Sequence, residues 1–355
     1  MIKKLYQDSS FYLIIFIISY FIYIYPVEIL NELLFNEKPN RRTSLLYSLF
    51  ISILVIFYLR SKNTFPLLKI FIYEGMGIGF ISFIIVNFSL IFNYFKILDT
   101  FIIGIISLFL ILILSFVGLV FGNIIYIKNL KISSYKIKQS INFIFISDVH
   151  LGTNSISHLK KILKKCKNLK YNFILIGGDL IDSSAFDLSN LSVLNQINKP
   201  IYFVTGNHEY YLKNYHEKLS QLHKFGITTL NNYNIKLNDI NLIGIDDRQD
   251  SKNQILNFLK VKDPKKYNIV LVHKPTIWDK VKNDADLMLS GHCHNGQIMP
   301  FNLLVKLQFK YIYGLYKHAK SNIYITSGSG CWGPRIRLGT FNEIVHIEIK
   351  PDQNL

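Results

Sequence analysis

The fold class that the sequence predicts is a multi-pass α-helical membrane module followed by an α/β domain. Three observations predict it. Four long apolar runs fill residues 10–127. After residue 140, short β-rich runs alternate with amphipathic segments, and five of these runs end in Asp, His or Asn, most of them beside Gly. Half of the 355 residues are hydrophobic although the net charge is +17, which fits a chain whose apolar and charged residues are segregated. This length suits two domains better than one core.

The apolar runs cover residues 10–25, 43–59, 70–95 and 101–127. A membrane span needs about 20 apolar residues, so four transmembrane helices is the simplest reading. Pro26 is expected to stop the first. Pro26-Val27-Glu28 offers no small-residue cleavage site, so that run is expected to be a retained helix rather than a signal peptide. Basic flanks set the orientation. Lys3, Lys4, Arg60, Lys62, Lys69, Lys128, Lys131, Lys136 and Lys138 lie on one side, and only Lys38, Arg41, Arg42 and Lys96 on the other. The N-terminus and everything after residue 128 are therefore expected in the cytoplasm. Three sparse cysteines, Cys166, Cys293 and Cys331, agree with a reducing compartment. Glu74 is the one acid well inside a run and is read as interfacial. The domain boundaries that follow are a membrane module over 1–128, a basic juxtamembrane linker over 129–140 and the α/β domain over 141–355.

Within that domain, residues 141–146 predict a strand that ends in Ser147-Asp148-Val149-His150. Leu159, Ile162, Leu163, Cys166 and Leu169 recur at helical spacing among lysines and predict a helix. The strand at 173–176 ends in Gly177-Gly178-Asp179, and the strand at 201–205 in Gly206-Asn207-His208-Glu209. Helical segments are expected near 188–197, 212–225 and 255–261, and a hairpin around Asn238-Asp239. Strands at 268–272 and 286–289 run into His273 and into Ser290-Gly291-His292-Cys293-His294, and late strands are expected at 323–326 and 343–349.

One strand-end Asp is usually a helix cap. Five endings that carry Asp148, His150, Asp179, Asn207, His208, His273, His292 and His294 are not explained that way, because α/β folds bind ligands at the carboxyl ends of their strands. Imidazoles with carboxylates and an Asn carbonyl suit Mn, Fe or Zn. So many candidate ligands exceed one tetrahedral site and suit two divalent ions about 3.5–4 Å apart sharing a carboxylate. Such a pair activates water and grips phosphate oxygens without a Ser or Cys nucleophile.

In these motifs the domain resembles the calcineurin-like metallophosphoesterases over about residues 141–349. Gly291-His292-Cys293-His294-Asn295-Gly296-Gln297 and Trp332-Gly333-Pro334-Arg335-Ile336-Arg337-Leu338-Gly339 further resemble the signatures of a membrane-associated bacterial branch, with Cys293 and Asn295 as departures. The resemblance implies a four-layer αββα sandwich with a dimetal centre at one edge. It implies that Asp148, His150 and His294 hold the first metal and Asn207, His273 and His292 the second, and that Asp179 bridges them. It implies that His208 faces the phosphate and leaving group as acid or electrostatic stabiliser.

Arg337 stays open between a clamp on a substrate phosphate and a loop cap. Asp182, Asp246 and Asp247 read as turn or supporting residues. Cys293 is expected to point away from the site if its segment is extended, and Asn295 to take a left-handed turn. Residues 301–317, FNLLVKLQFKYIYGLYK, mix bulky apolar side chains with lysines as an interfacial element does. The expected partners are a lipid bilayer and an anionic phosphate-containing substrate, including lipid-linked ones. Spread rather than striped basic charge leaves no specific nucleic acid expected. The leading reading is a membrane-anchored dimetal phosphohydrolase acting on a phosphodiester or pyrophosphate. A non-catalytic membrane scaffold or sensor and a nuclease-type phosphodiesterase are the alternatives.

Overall fold

The computed structural model describes residues 2–60 and 65–352, with side chains from residue 9 onward. Lys62, the side chains of Lys3 and Lys4, and residues 353–355 lie outside the described residues. The chain divides into two compact units, Met1–Val120 with Gly333–Ile336, and Phe121–Trp332 with Arg337–Leu355.

The first unit is helical: α1 (Ile2–Ser19), α2 (Tyr25–Phe35), α3 (Arg41–Arg60), α4 (Pro66–Tyr94) and α5 (Thr100–Asn123). Four stretches are long and apolar enough to cross a membrane, Ser9–Phe35, Arg41–Arg60, Pro66–Tyr94 and Thr100–Asn123. The first does not stop at Pro26 as expected. A π-helical turn, Tyr20–Ile24, joins α1 to α2. It absorbs the missing proline N–H and the clash of its ring with the preceding turn. Gly79 of α4 packs on the π turn: a Cβ there would stand 2.2 Å from Ile22 O. Gly75, against Tyr23, and Gly79 thus allow close approach to the π turn. The longer first span takes in Glu28, so Glu74 is not the only acid among these helices. Glu28 accepts from Tyr20 Oη at 3.0 Å and from Ser44. Glu74 accepts from Arg335 N and Arg335 Nε, both at 2.9 Å.

The second unit begins with β1 (Ile125–Ser134), β2 (Ile141–Ile146), α6 (Ile156–Cys166), β3 (Phe173–Ile176), β4 (Ile201–Phe203), α7 (Asn207–Tyr211), α8 (Tyr215–Ser220) and β5 (Ile227–Thr229). It continues through β6 (Tyr233–Leu237), β7 (Ile240–Ile245), α9 (Ser251–Val261), β8 (Tyr267–Val272), α10 (Trp278–Val281), β9 (Leu287–Ser290), α11 (Phe301–Gln308), β10 (Gly314–His318), β11 (Ser321–Ile325) and β12 (Asn342–Pro351). These strands form two six-stranded sheets, in the orders β1-β12-β2-β3-β4-β5 and β10-β11-β9-β8-β7-β6.

The central strands are buried on both faces, so their alternation sorts side chains between layers. Phe143 and Phe145 of β2, Leu175 of β3, Leu242 of β7 and Leu271 of β8 fill the space between the sheets. Ile144, Ile146 and Ile176 face α6 through Leu159, Ile162 and Leu163. Ile243, Val270 and Val272 face Phe258 of α9 and Trp278 of α10. Three apolar interfaces make four layers, the expected αββα sandwich. Each fully buried Phe, Ile or Leu contributes about 1.5–3 kcal/mol.

The linker expected at 129–140 is corrected. Residues 125–134 are a strand that pairs in parallel with β12 over its whole length. Leu130 and Ile132 enter the core between the sheets while Lys128 and Lys131 stay exposed. Lysines on an edge strand discourage pairing with another chain, and they mimic a polar linker in sequence. Lys136 bonds Asp286 at 2.9 Å rather than lying free. The helix expected over 212–225 is split into α8 and a 3₁₀ turn, Leu222–Phe225.

Candidate metal centre

The carboxyl ends of β2, β3, β4, β8 and β9 converge at one edge, and the loops that leave them carry every polar residue of the five motifs. The backbone there is unusual. Asp148, His150, Asp179, His292 and His294 all have φ between 48° and 70°. Left-handed conformation in residues with a Cβ costs free energy and clusters at functional sites. Two motif glycines are required by crowding. A Cβ on Gly206 would sit 2.1 Å from Asp179 Oδ1, and one on Gly291 would sit 2.2 Å from Asp148 Oδ2.

Among the described residues three groups of possible ligands result: Asp148 with His150 and His294, Asp179 with His273 and His292, and His150 with Asp182 and His208. In the first, His150 Nε2 and His294 Nε2 are 3.1 Å apart, and Asp148 Oδ1 is 3.5 Å from His294 Nε2. In the second, His292 Nδ1 is 3.2 Å from His273 Nε2, which is 3.1 Å from Asp179 Oδ2. The same Asp179 oxygen lies 3.9 Å from His150 Nε2, so it reaches toward both groups. His208 Nε2 is 3.9 Å from it as well.

The donor set fits divalent cations. Two imidazole nitrogens aimed at each other at 3.1 Å repel unless a proton or a cation lies between them. Asn207 Oδ1 is buried and has no hydrogen-bond partner among the described residues, as a carbonyl held for a metal would be. The electrostatics differ between the histidines. Burial, helped by the charges of His150 and Arg337, holds His294 well below the ordinary imidazole range. Burial and the neighbouring His273 hold His292 down at about 3. Burial would also lower His273, but Asp179 beside it raises it to about 10. Burial holds His208 below its ordinary value, so it is neutral at pH 7.

Arg337 is not placed as a clamp on a substrate phosphate, which corrects one of the two expectations. It is completely buried. Its Nη1 donates to His294 O at 3.0 Å, its Nη2 to Gly330 O at 2.7 Å and its Nε to Asn342 Oδ1 at 3.0 Å. A His294 that offers Nε2 to a metal keeps its proton on Nδ1. The 3.3 Å approach of Arg337 Nη2 to that atom is therefore packing, and the carbonyl bonds hold the loop.

Asp182 stands behind His150, with Oδ2 3.4 Å from His150 Nδ1, while its Oδ1 accepts from Thr153 N at 2.8 Å. Asp246 accepts from Thr205 Oγ1 at 3.1 Å and from Tyr210. Asp247 pairs with Lys274 at 2.6 Å. Glu209, which the sequence left without a role, accepts from the backbone N–H of Asp179, Ile181 and Gly206 and so ties two ligand loops together. Its signal was its place after the Asn-His pair.

Asn295 is left-handed as expected, at φ 52°. Cys293 lies away from both groups, with Sγ 3.8 Å from Tyr311 O. The cause is not an extended segment. A left–right–left sequence of backbone conformations at His292, Cys293 and His294 turns the two imidazoles to different groups. The rings of Tyr211 and Trp332 flank His208 at 5.4 and 5.8 Å, and Phe309 lies 5.2 Å from His292. Trp332 opens the second signature stretch and Phe309 lies in the 301–317 segment, but nothing in the sequence placed either ring, or Tyr211, beside these histidines.

Residues 141–296 match the calcineurin-like phosphoesterase family model. A metallophosphoesterase of Helicobacter pylori is 36% identical over 237 residues, which is 63% of this chain and 64% of that protein. The chain thus spans just under two thirds of that relative. A transmembrane protein with metallophosphoesterase domain from Danio rerio is 31% identical over 252 residues, covering 63% of this chain and 57% of its own length. A metallophosphoesterase of Aquifex aeolicus is 31% identical over 221 residues, covering 59% of this chain and 84% of its own. With its four layers and its edge of Asp, Asn and His residues that could hold metals, the chain belongs to the calcineurin-like metallophosphoesterase family.

Proposed function

We propose that the protein is a membrane-anchored, two-metal phosphohydrolase that cleaves a phosphodiester or pyrophosphate, with lipid-linked phosphates as the favoured substrates. The observation that carries the reading is the convergence of two three-residue ligand groups with one aspartate oxygen reaching toward both. Asp148, His150 and His294 would hold one divalent ion and Asn207, His273 and His292 the other, with Asp179 shared between them. Two such ions, of Mn, Fe or Zn type, supply an activated water and neutralise the oxygens of the phosphoryl group. The chain's own residues do the rest. Asp179 fixes the groups in one frame, since its Oδ1 accepts from His208 N at 2.9 Å. That bond also fixes the backbone of His208, whose neutral imidazole donates its N–H to the leaving oxygen. The basic flanks of the four apolar helices support a cytoplasmic location for the hydrolytic unit.

The test uses the full chain in detergent, metal analysis and a panel of aryl phosphodiesters, phosphomonoesters and lipid pyrophosphates. His208→Ala and Asp179→Asn are each expected to lower turnover by about 10²-fold or more with the fold intact. Wild-type turnover in both variants would overturn the reading.

A further inference from the structure

We infer that α11, on the hydrolytic unit itself, is an in-plane membrane element that docks on an anionic bilayer surface beside the metal centre. The helix turns Leu303, Leu304 and Leu307 outward, at 59%, 56% and 84% exposure. Spacings of three and four residues put them on one stripe. An outward leucine stripe on a water-soluble helix is unfavourable unless something covers it. The charge around it selects the cover. No Asp or Glu occurs between Asp286 and Glu343, whereas Lys306, Lys310 and Lys317 do. Lys310 leans back on Asp279 at 3.0 Å; Lys306 is exposed, with no acidic partner among the described residues. A leucine face with lysine beside it suits the headgroup–acyl boundary of an anionic leaflet. Four apolar helices on the same chain make a bilayer the available surface. A second copy fits less well, since a stable dimer covers about 800 Å² per partner, more than a helix of this length presents.

The consequence reaches the metal centre through short contacts. Asn302 packs against Gly296 in the His294 turn, and Phe309, just past the helix, lies against His292. Docked, α11 places the turn that bears both histidines at headgroup depth, where the phosphates of lipid-linked substrates lie. This deepens the proposed function, but its test does not depend on hydrolysis. Cys166, Cys293 and Cys331 are buried, so a single exposed cysteine can be labelled selectively. Full-length Leu307→Cys carries an environment-sensitive fluorophore in proteoliposomes of phosphatidylglycerol and phosphatidylethanolamine. Asn168→Cys, past the end of α6, is the comparison, and Leu303→Cys repeats the measurement should the first variant misfold. Shallow nitroxide lipids are expected to quench the α11 label about threefold more than the label at 168, with a blue-shifted emission. Equal quenching at both sites would overturn the inference. So would a blue shift without quenching, which a protein partner would give. Failure of the hydrolytic reading would instead appear as inactive wild type with the α11 label still quenched.

Discussion

The two ligand groups are supported in different ways. Behind the Asp148, His150 and His294 group stand side chains: Arg337 holds the His294 carbonyl, and Asp182 faces His150. Behind the Asp179, His273 and His292 group backbone does more of the holding, beside the Glu209 carboxylate that accepts from Asp179 N at 2.9 Å. His273 Nδ1 donates to Gly177 O at 2.8 Å, and Asp179 Oδ1 accepts from His208 N. The first group is also wholly buried, whereas His292 is half-buried at the rim. Outer contacts of this kind orient metal ligands and tune affinity. The difference teaches that one ion site can be adjusted by ordinary substitution, while the other is part of how the strands end.

Gly291→Ala breaks this comparison most strongly. Its methyl would meet Asp148 Oδ2 at 2.2 Å and Ser147 Oγ at 2.3 Å, in the middle of the first group. Elemental analysis should show about one ion per chain instead of about two, and turnover should fall by about 10³-fold. Two retained ions would show that the group tolerates a shifted carboxylate. Arg337→Met should come next. It leaves the His294 and Gly330 carbonyls without their donor, so calorimetric titration should show about 10–100-fold weaker binding at one site only. Thermal unfolding should show a loss of about 3 kcal/mol. Equal weakening at both sites would mean that the groups are not separately supported. Asp182→Asn sharpens the same point, with about tenfold weaker binding at the first site and little change in unfolding. Phe309→Ala should do least. It removes a ring beside His292 but no polar support, so metal content should hold and kcat/KM should change by less than about threefold.

Most of the site was legible because its residues are chemically distinctive and stand where strands end. Asp148, His150, Asp179, Asn207, His273, His292 and His294 needed only order and spacing to be found. The supporting residues were not legible, because support depends on burial and direction. Arg337 looks the same in sequence whether it faces a substrate phosphate or a buried carbonyl, and only its zero exposure separates the two. Tyr211, at the end of α7, and Trp332, in a loop far along the chain, reach His208 from segments that no periodicity connects. In the fold, strands buried on both faces announced themselves by continuous apolar runs. The edge strand β1 did not, since most of its side chains face solvent and several are lysine. Pro26 misled for a related reason: the local rule for proline holds, but a π turn satisfied it without ending the span.

The left-handed backbone of the ligand loops has an evolutionary consequence. His150, His292 and His294 hold a conformation that glycine adopts freely and that costs other residues about 1–2 kcal/mol each. Selection for thermal hardiness alone would favour glycine or asparagine at these positions. Chains freed from hydrolysis should therefore drift first at their ligand histidines, gaining stability as they lose the metals. A laboratory selection for heat resistance that does not require hydrolysis would be expected to erase them.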